Sequence, residues 1–416
     1  MNIFEISKEI LNKVVVKDVP FALALRNAFK ANNIVEKDIR SNITSLVGCE
    51  LRHHLVFNSL FQRFIGEIEF EKTVYLRFYL ANHLFLKRFL DKEILQLAKT
   101  DLDNDKIDEI IEFVSNSNEL IPTEFDKDSP EFLSMRFNTP SWVIKMWQKQ
   151  YGKGVVYKML KANYHQSVPT VRIDEHKLNV NDFLSSHSDF ISSPIENVLM
   201  FRGKGTPKAL EEFKDNSIFF FRPATKYIID NLEVEPIKKI AIYSAVPNNI
   251  YLDLCVRLGK DINLDIVTSH TQTYFDTLHT IENNHLNGVA VYNAKETSLV
   301  TCISSPVSLF FCLPLSTSLD LLRSTPDFFL RVKQERLDEM IANEKLALEE
   351  CASLIEEGGK LVYMIPTLSK KESINVIGEF LANHPEFELK DDHQYFPFEE
   401  LDSCLYYAIL NKKVGI

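Results

Sequence analysis

The sequence predicts a multidomain protein of the α + α/β class: an all-helical part first, a small mixed module next, then an α/β part with a mostly parallel sheet. Three observations carry that expectation. Apolar residues recur at helical spacing through the first 120 positions, short β-rich runs alternate with helical stretches beyond 216, and a stretch of unusual charge lies between them. A length of 416 residues suits two or three domains, and 45% apolar content with 30 Phe excludes a disordered or fibrous chain. The expected boundaries are 1–125, 131–215 and 216–416.

In the first part, apolar positions recur at helical spacing in Ile3, Ile6, Ile10 and Leu11, then in Phe21, Leu23, Leu25 and Phe29. Longer helices fit 41–65 and 72–98, the second carrying Val74, Leu76, Phe78, Leu80, Leu84 and Leu86. Only Gly48 and Gly66 interrupt this stretch, as a bundle allows. Residues 121–130 (IPTEFDKDSP) are polar with Pro at each end, a linker pattern. In the last part, strands fit 218–221, 240–243, 264–268, 288–292, 307–313, 360–365 and 404–410. Helices fit 224–232, 250–258, 271–284, 332–355 and 370–384.

Charge and composition narrow the function. The chain has 47 Lys+Arg against 58 Asp+Glu, a net −11, which argues against a general nucleic-acid adhesive. Yet residues 136–173 contain Arg136, Lys145, Lys149, Lys153, Lys158, Lys161 and Arg172 and no acid. Trp142, Trp147, Tyr151, Tyr157 and Tyr164 are interleaved with them. Cations with aromatic neighbours suit a face that tracks phosphates; solvated lysines around a tryptophan core would look the same in sequence. The six Cys form no CxxC pair, so neither a zinc site nor a disulfide scaffold is expected. No apolar run is long enough to span a bilayer and the start lacks a signal-peptide pattern, so a soluble, cytoplasmic protein is expected.

Glycine is scarce: 12 residues, where loops that bring backbone amides against a nucleotide need several. In an open α/β sheet ligands bind at the carboxyl ends of the strands. The residues expected there are Ser244–Asn249, Thr268–His270, Tyr292-Asn293, Leu313–Ser316 and Ile365–Thr367. They offer one candidate base, His270, and two candidate nucleophiles, Ser316 and Thr367, with no evident orienting partner.

Several segments also follow a known order. Thr139-Pro140-Ser141-Trp142-Val143-Ile144, Trp147 and Tyr151-Gly152 are followed by Ala162-Asn163 and Arg172-Ile173-Asp174. Together they resemble the RsmB (Sun/Fmu) group of 16S ribosomal-RNA cytosine-5 methyltransferases. The resemblance extends to Leu46–Arg52 and Leu76–Leu80, to Arg323-Ser324-Thr325-Pro326-Asp327, to Glu357–Tyr363 and to Asn383–Phe387. It implies a NusB-like helical domain, a Rossmann-like methyltransferase domain, S-adenosylmethionine as family cofactor and ribosomal RNA as partner. It also implies a thiolate that attacks cytosine C6, because a strong soft nucleophile is needed near neutral pH.

The implied reactive positions are substituted. The family's D-x-C-A-A-P-G-G-K-T falls on Ile242–Tyr251, so that Asn248-Asn249 replace the glycine pair and Ile250 the lysine. The ribose-binding acid falls on Ser269 and the adenine-side acid on Asn293. One cysteine falls on Ser316, with Cys312 four residues away, and the attacking cysteine falls on Pro366. The expectation is therefore an RNA-associated protein that has lost methyl transfer, with no catalytic, cofactor-binding or metal-ligating residue. RNA would be held by the seven cations of 136–172. Two alternatives stay open: a methyltransferase with a divergent active site, and a protein-interaction scaffold.

Overall fold

A computed structural model describes residues 2–122, 124–165, 167–232, 238–295, 298–303 and 306–415; Thr123 of the expected linker lies outside them. The chain forms two compact units: residues up to Tyr164 together with Leu321–Gln334, and His165–Asp320 together with Glu335–Ile416. The 131–215 stretch is thus divided between them at residue 164.

The first unit is helical. Its helices are α1 (Ile3–Val15), α2 (Phe21–Ala31), α3 (Lys37–Arg52), α4 (His54–Phe64), α5 (Phe70–Ala81), α6 (Asp91–Asp101), α7 (Asn104–Asn116), α8 (Pro130–Phe137), α9 (Ser141–Tyr151) and α10 (Lys153–Asn163). The helix expected over 72–98 stops at Ala81 and passes through a π-helical turn at Asn82–Leu86. The buried Asn82 side chain causes the break: it accepts from the Arg88 and Phe89 amides and donates to the Phe89 carbonyl. Between α9 and α10, Gly152 adopts φ 80, a region that favours glycine, and so turns one helix sharply into the next.

Inside this unit the Glu50 carboxylate, fully buried, accepts from His54 Nδ1 at 2.8 Å and from an Arg77 guanidinium nitrogen at 3.2 Å. Burial works against its charge, yet those two partners hold its carboxyl below the ordinary carboxylate value. The inserted segment carries two short helices, Leu321–Ser324 and Phe328–Arg331, and is fastened by polar contacts. Buried Asp327 accepts the Phe21 amide at 2.8 Å, and the Arg323 carbonyl accepts from Arg52 at 3.4 Å. Pro20 precedes α2 and offers no side-chain cap, so Asp327 satisfies a helix-start donor from far along the chain.

The second unit holds two sheets. Four antiparallel strands, β1 (Thr170–Ile173), β2 (Phe190–Ser192), β3 (Val198–Phe201) and β4 (Ile218–Phe220), are ordered β2-β3-β1-β4. Helices α11 (Val180–Ser186) and α12 (Glu211–Lys214) fall between these strands in the chain. Seven more strands follow: β5 (Ile240–Ser244), β6 (Leu264–Thr268), β7 (Val289–Asn293), β8 (Val307–Leu313), β9 (Ile355–Ile365), β10 (Phe387–Tyr395) and β11 (Leu405–Lys412), ordered β10-β11-β9-β8-β5-β6-β7. Strands β5 to β9 are mutually parallel, and β11 pairs antiparallel with β9 and β10. The intervening helices are α13 (Pro223–Asp230), α14 (Ile250–Leu258), α15 (Thr271–Asn284), α16 (Leu299–Cys302), α17 (Leu321–Ser324), α18 (Phe328–Arg331), α19 (Leu337–Ser353) and α20 (Ile374–Asn383), of which α17 and α18 belong to the first unit.

Alternation along the strands feeds two cores. Ile242, Phe311, Val362 and Met364 face one, while Ala241, Phe310, Cys312, Tyr363 and Ile365 face the other. Gly288 is required before β7, since a Cβ there would meet the Ile262 carbonyl oxygen at 1.9 Å. The strand β10 was not expected, because its charged run Glu388–Asp392 is solvent-facing on the sheet's edge.

Candidate functional site: the strand ends and a basic helix face

The sheet reverses direction between β5 and β8, the topological switch point at which ligands bind in such folds. Here the pairing runs one residue further, because the Ala245 amide donates to the Leu313 carbonyl at 3.0 Å. The loop after β5 ties itself down. Asn248 Oδ1 accepts from the Ile250 amide, and Asn249 Nδ2 donates to the Phe220 carbonyl at 2.9 Å. Those amides occupy the place of the glycine pair and are engaged within the fold.

The candidate base and nucleophiles are not brought into a catalytic relation. His270 is the N-cap of α15, its Nδ1 accepting from the Thr273 amide at 3.2 Å. Ser316 Oγ accepts from the Ser318 amide at 3.0 Å and lies 3.4 Å from the Ser318 hydroxyl, neither of which is a base. Thr367 donates its hydroxyl to Glu372 at 2.7 Å, the geometry of a nucleophile and its base, but both residues are fully buried. Cys312 is buried beside Cys351, whose thiol burial pushes far up, away from the reactive thiolate.

What sequence reasoning missed at this edge is a pair of buried glutamates. Glu372 accepts the Thr317 amide at 2.7 Å, the Thr317 hydroxyl at 2.7 Å and the Thr367 hydroxyl at 2.7 Å. One carboxylate thus fastens the loop after β8 to the loop after β9, the two loops that bear Ser316 and Pro366. Glu344, equally buried on α19, has its carboxyl pushed up to about 11, first by burial and then by the neighbouring Glu372 charge. At neutral pH Glu344 keeps its proton. Glu372, just ahead of α20 in a run of Thr, Ser and Lys, looks in sequence like an ordinary helix-start acid.

The basic segment divides into two kinds of cation. Lys145 and Lys149 on α9 and Lys153, Lys158 and Lys161 on α10 are exposed, while Trp147 is fully buried beneath them. Lys145 pairs with Glu131 at 2.9 Å and Arg136 with Glu119 at 3.0 Å, both on the surface. Arg172 is a correction to the expected contacts. It lies on β1 in the other unit, its side chain only 1% exposed, and donates from Nε to Asp253 at 2.8 Å and from another guanidinium nitrogen to Glu175 at 3.0 Å. Buried Asp253 needs a cation, and that demand removes Arg172 from any surface.

A cavity of about 510 Å³ opens beside Arg172, lined in part by Glu175, Glu196, Lys226 and Arg257. Lys226 pairs with Asp230 at 2.6 Å and Arg257 with Asp253 at 2.9 Å, so acids balance its cations. Burial, with the nearby Arg257 charge, pushes the Lys226 amine down to about 8. Among the described residues no helix is long and apolar enough to cross a membrane, and no cluster of three His, Cys, Asp or Glu is placed to hold a metal ion.

Comparison with known proteins places this architecture. The solved structure of PH0851 is 17% identical, spans 99% of both chains and superposes with a TM-score of 0.76. A methyltransferase homolog protein from Pyrococcus horikoshii is 13% identical over 67% of this chain and 97% of its own, with a TM-score of 0.56. The helical N-terminal region and mostly parallel sheet therefore define a Rossmann-like methyltransferase fold. In sequence, a probable ribosomal RNA small subunit methyltransferase B from Bacillus subtilis is 21% identical over 92% of this chain and 89% of its own length. The ribosomal RNA small subunit methyltransferase B of Thermus thermophilus is 39% identical over 75 residues, 18% of this chain and 19% of that protein. No family model matches the chain. Over most of its length the chain is thus similar to a protein of the RsmB (Sun/Fmu) type.

Proposed function

We propose that this protein is an RNA-associated RsmB-type protein that has lost methyl transfer and binds RNA, ribosomal RNA first among candidates, through the exposed lysines of α9 and α10. The observation that carries the loss is the Glu372 fastening. Where the resemblance sets two thiols, the loops hold Ser316 and Pro366 and are joined by a buried carboxylate. Serine without a base is a poor nucleophile, and proline has none to offer. S-adenosylmethionine does not fit the residues present either. Ser269 brings no charge to ribose hydroxyls, and the Asn249 amide is committed to the Phe220 carbonyl. The exposed lysines of α9 and α10 support the RNA half of the reading, since such cations hold phosphates without reading sequence.

The second reading is an S-adenosylmethionine-dependent RNA methyltransferase with a divergent active site. It draws on the names of the two sequence relatives, both described as ribosomal RNA small subunit methyltransferase B. Titration calorimetry with millimolar S-adenosylmethionine, paired with a methyl-incorporation assay on a small-subunit rRNA fragment, separates the two. Heat of binding or incorporated label overturns the proposal. A third measurement tests the RNA half: a Lys149→Glu/Lys153→Glu/Lys161→Glu variant is expected to bind the fragment more weakly and with a flatter salt dependence. Binding equal to the parent at low salt removes α9 and α10 from the interface and leaves the scaffold reading.

A further inference from the structure

Helix α10 buries Val156, Met159, Leu160 and Asn163. On its solvent side Lys153, Tyr157, Lys161 and Tyr164 follow at steps of four, four and three, so they line one stripe, each about 4.5–6 Å along the axis from the next. Cation and aromatic alternate along it. The rings are large and exposed: Tyr157 44% and Tyr164 39%, with Phe85 of the neighbouring π-helical turn at 40%.

These rings are also held in place from behind. Phe137 meets Tyr157 edge-on at 5.8 Å and Tyr164 edge-on at 6.0 Å. His53 stacks on Phe85 at 3.6 Å and lies 2.8 Å from the Tyr164 hydroxyl through Nε2. Its Nδ1 faces the Cys49 carbonyl at 2.8 Å, which only accepts. Burial pushes His53 down to about 4, so at neutral pH Nδ1 donates to that carbonyl and Nε2 accepts from Tyr164. Tyr157, Phe137, Tyr164, His53 and Phe85 thus form one connected row whose ring positions are fixed before anything binds.

We propose that this row is a stacking platform for unpaired bases, so that the RNA recognised here is single-stranded; the inference rests on the RNA-binding reading above. Phosphates alone would need only the lysines, whereas exposed rings set between lysines match a strand that offers bases and phosphates in turn. A duplex keeps its bases stacked on one another and presents backbone to the protein. Rings already fixed by Phe137 and His53 lose little freedom on binding.

Fluorescence anisotropy of a labelled single-stranded 12-mer oligoribonucleotide and of a duplex of the same length tests this, with the full chain and with Tyr157→Ala, Tyr157→Phe and Lys153→Glu/Lys161→Glu. Tyr157→Ala is expected to weaken single-strand binding about tenfold or more and leave duplex binding unchanged. Tyr157→Phe, which keeps the π-face, is expected to bind as the parent does, and the lysine variant to lose affinity for both. If Tyr157→Ala binds the single strand as tightly as the parent while the lysine variant weakens, stacking is overturned and RNA binding stands. If the parent binds neither RNA, both readings fall. Thermal melting of Tyr157→Ala confirms that the fold is intact, and Tyr157→Phe separates ring loss from hydroxyl loss.

Discussion

The lysines of α9 and α10 and Arg172 come from one acid-free stretch of sequence, yet they meet opposite environments. The lysines stand in water, where an ion pair such as Lys145–Glu131 is screened and contributes little. Arg172 is closed inside the second unit against Asp253, 81 residues away in sequence. What decides is the partner, not the stretch: a buried acid recruits one cation and leaves its neighbours to the solvent. The glutamates at the strand ends follow the buried pattern, with Glu372 serving three donors and Glu344 keeping its proton.

If this contrast is right, charge substitutions should separate by environment. Arg172→Met leaves Asp253 buried and without one of its two cations; it is expected to cost about 3–5 kcal/mol, read as a lower midpoint in urea. Survival of the parent's midpoint would mean that Arg257 alone neutralises Asp253. Glu372→Ala comes next, at about 2–4 kcal/mol, because the Thr317 and Thr367 hydroxyls lose their acceptor. Hydrogen exchange should show the loops after β8 and β9 opening first; uniform loosening would argue against a local fastening.

Glu344→Gln sharpens the comparison through pH. The folded carboxyl titrates near 11 against an ordinary 4.5, so the native state keeps a proton that the unfolded chain has released. This group's contribution to stability is whole below about pH 4.5 and declines as pH rises toward 11. The decline is at most about 1.4 kcal/mol per pH unit. Glutamine has no proton to lose, so the variant should gain on the parent between pH 6 and pH 8, by up to about 3 kcal/mol. Parallel stability curves for the two proteins would show that Glu344 ionises in the fold. The smallest effect belongs to the surface: Lys149→Glu/Lys153→Glu/Lys161→Glu should change stability by about 0.5 kcal/mol per site or less, with RNA binding as its separate readout.

Much of the α/β part could be read from periodicity. The strands at 264–268 and 307–313 and the helices at 250–258 and 271–284 stand where the sequence set them, because each is a strongly patterned element with one or both faces in a core. Elements whose pattern is set by distant contacts were not legible. The helix expected over 41–65 divides at His53, and β10 hides behind charged edge residues. At the strand ends the substituted positions could be identified, but the reason those loops hold together could not, since Glu344 and Glu372 meet only in three dimensions. The Lys153, Tyr157, Lys161 stripe was legible by spacing alone; its backing by Phe137 and His53 was not.

The insertion of Leu321–Gln334 into the helical unit sets an order of events during synthesis. The acceptor for the Phe21 amide is Asp327, translated 306 residues later. While the ribosome is still making the parallel sheet, the helical unit is one segment short, its α2 start unsatisfied. No single cut of the chain yields both units whole. A fragment ending at Tyr164 should therefore be less stable than the same unit in the full chain, and addition of a peptide spanning 321–334 should restore part of the difference.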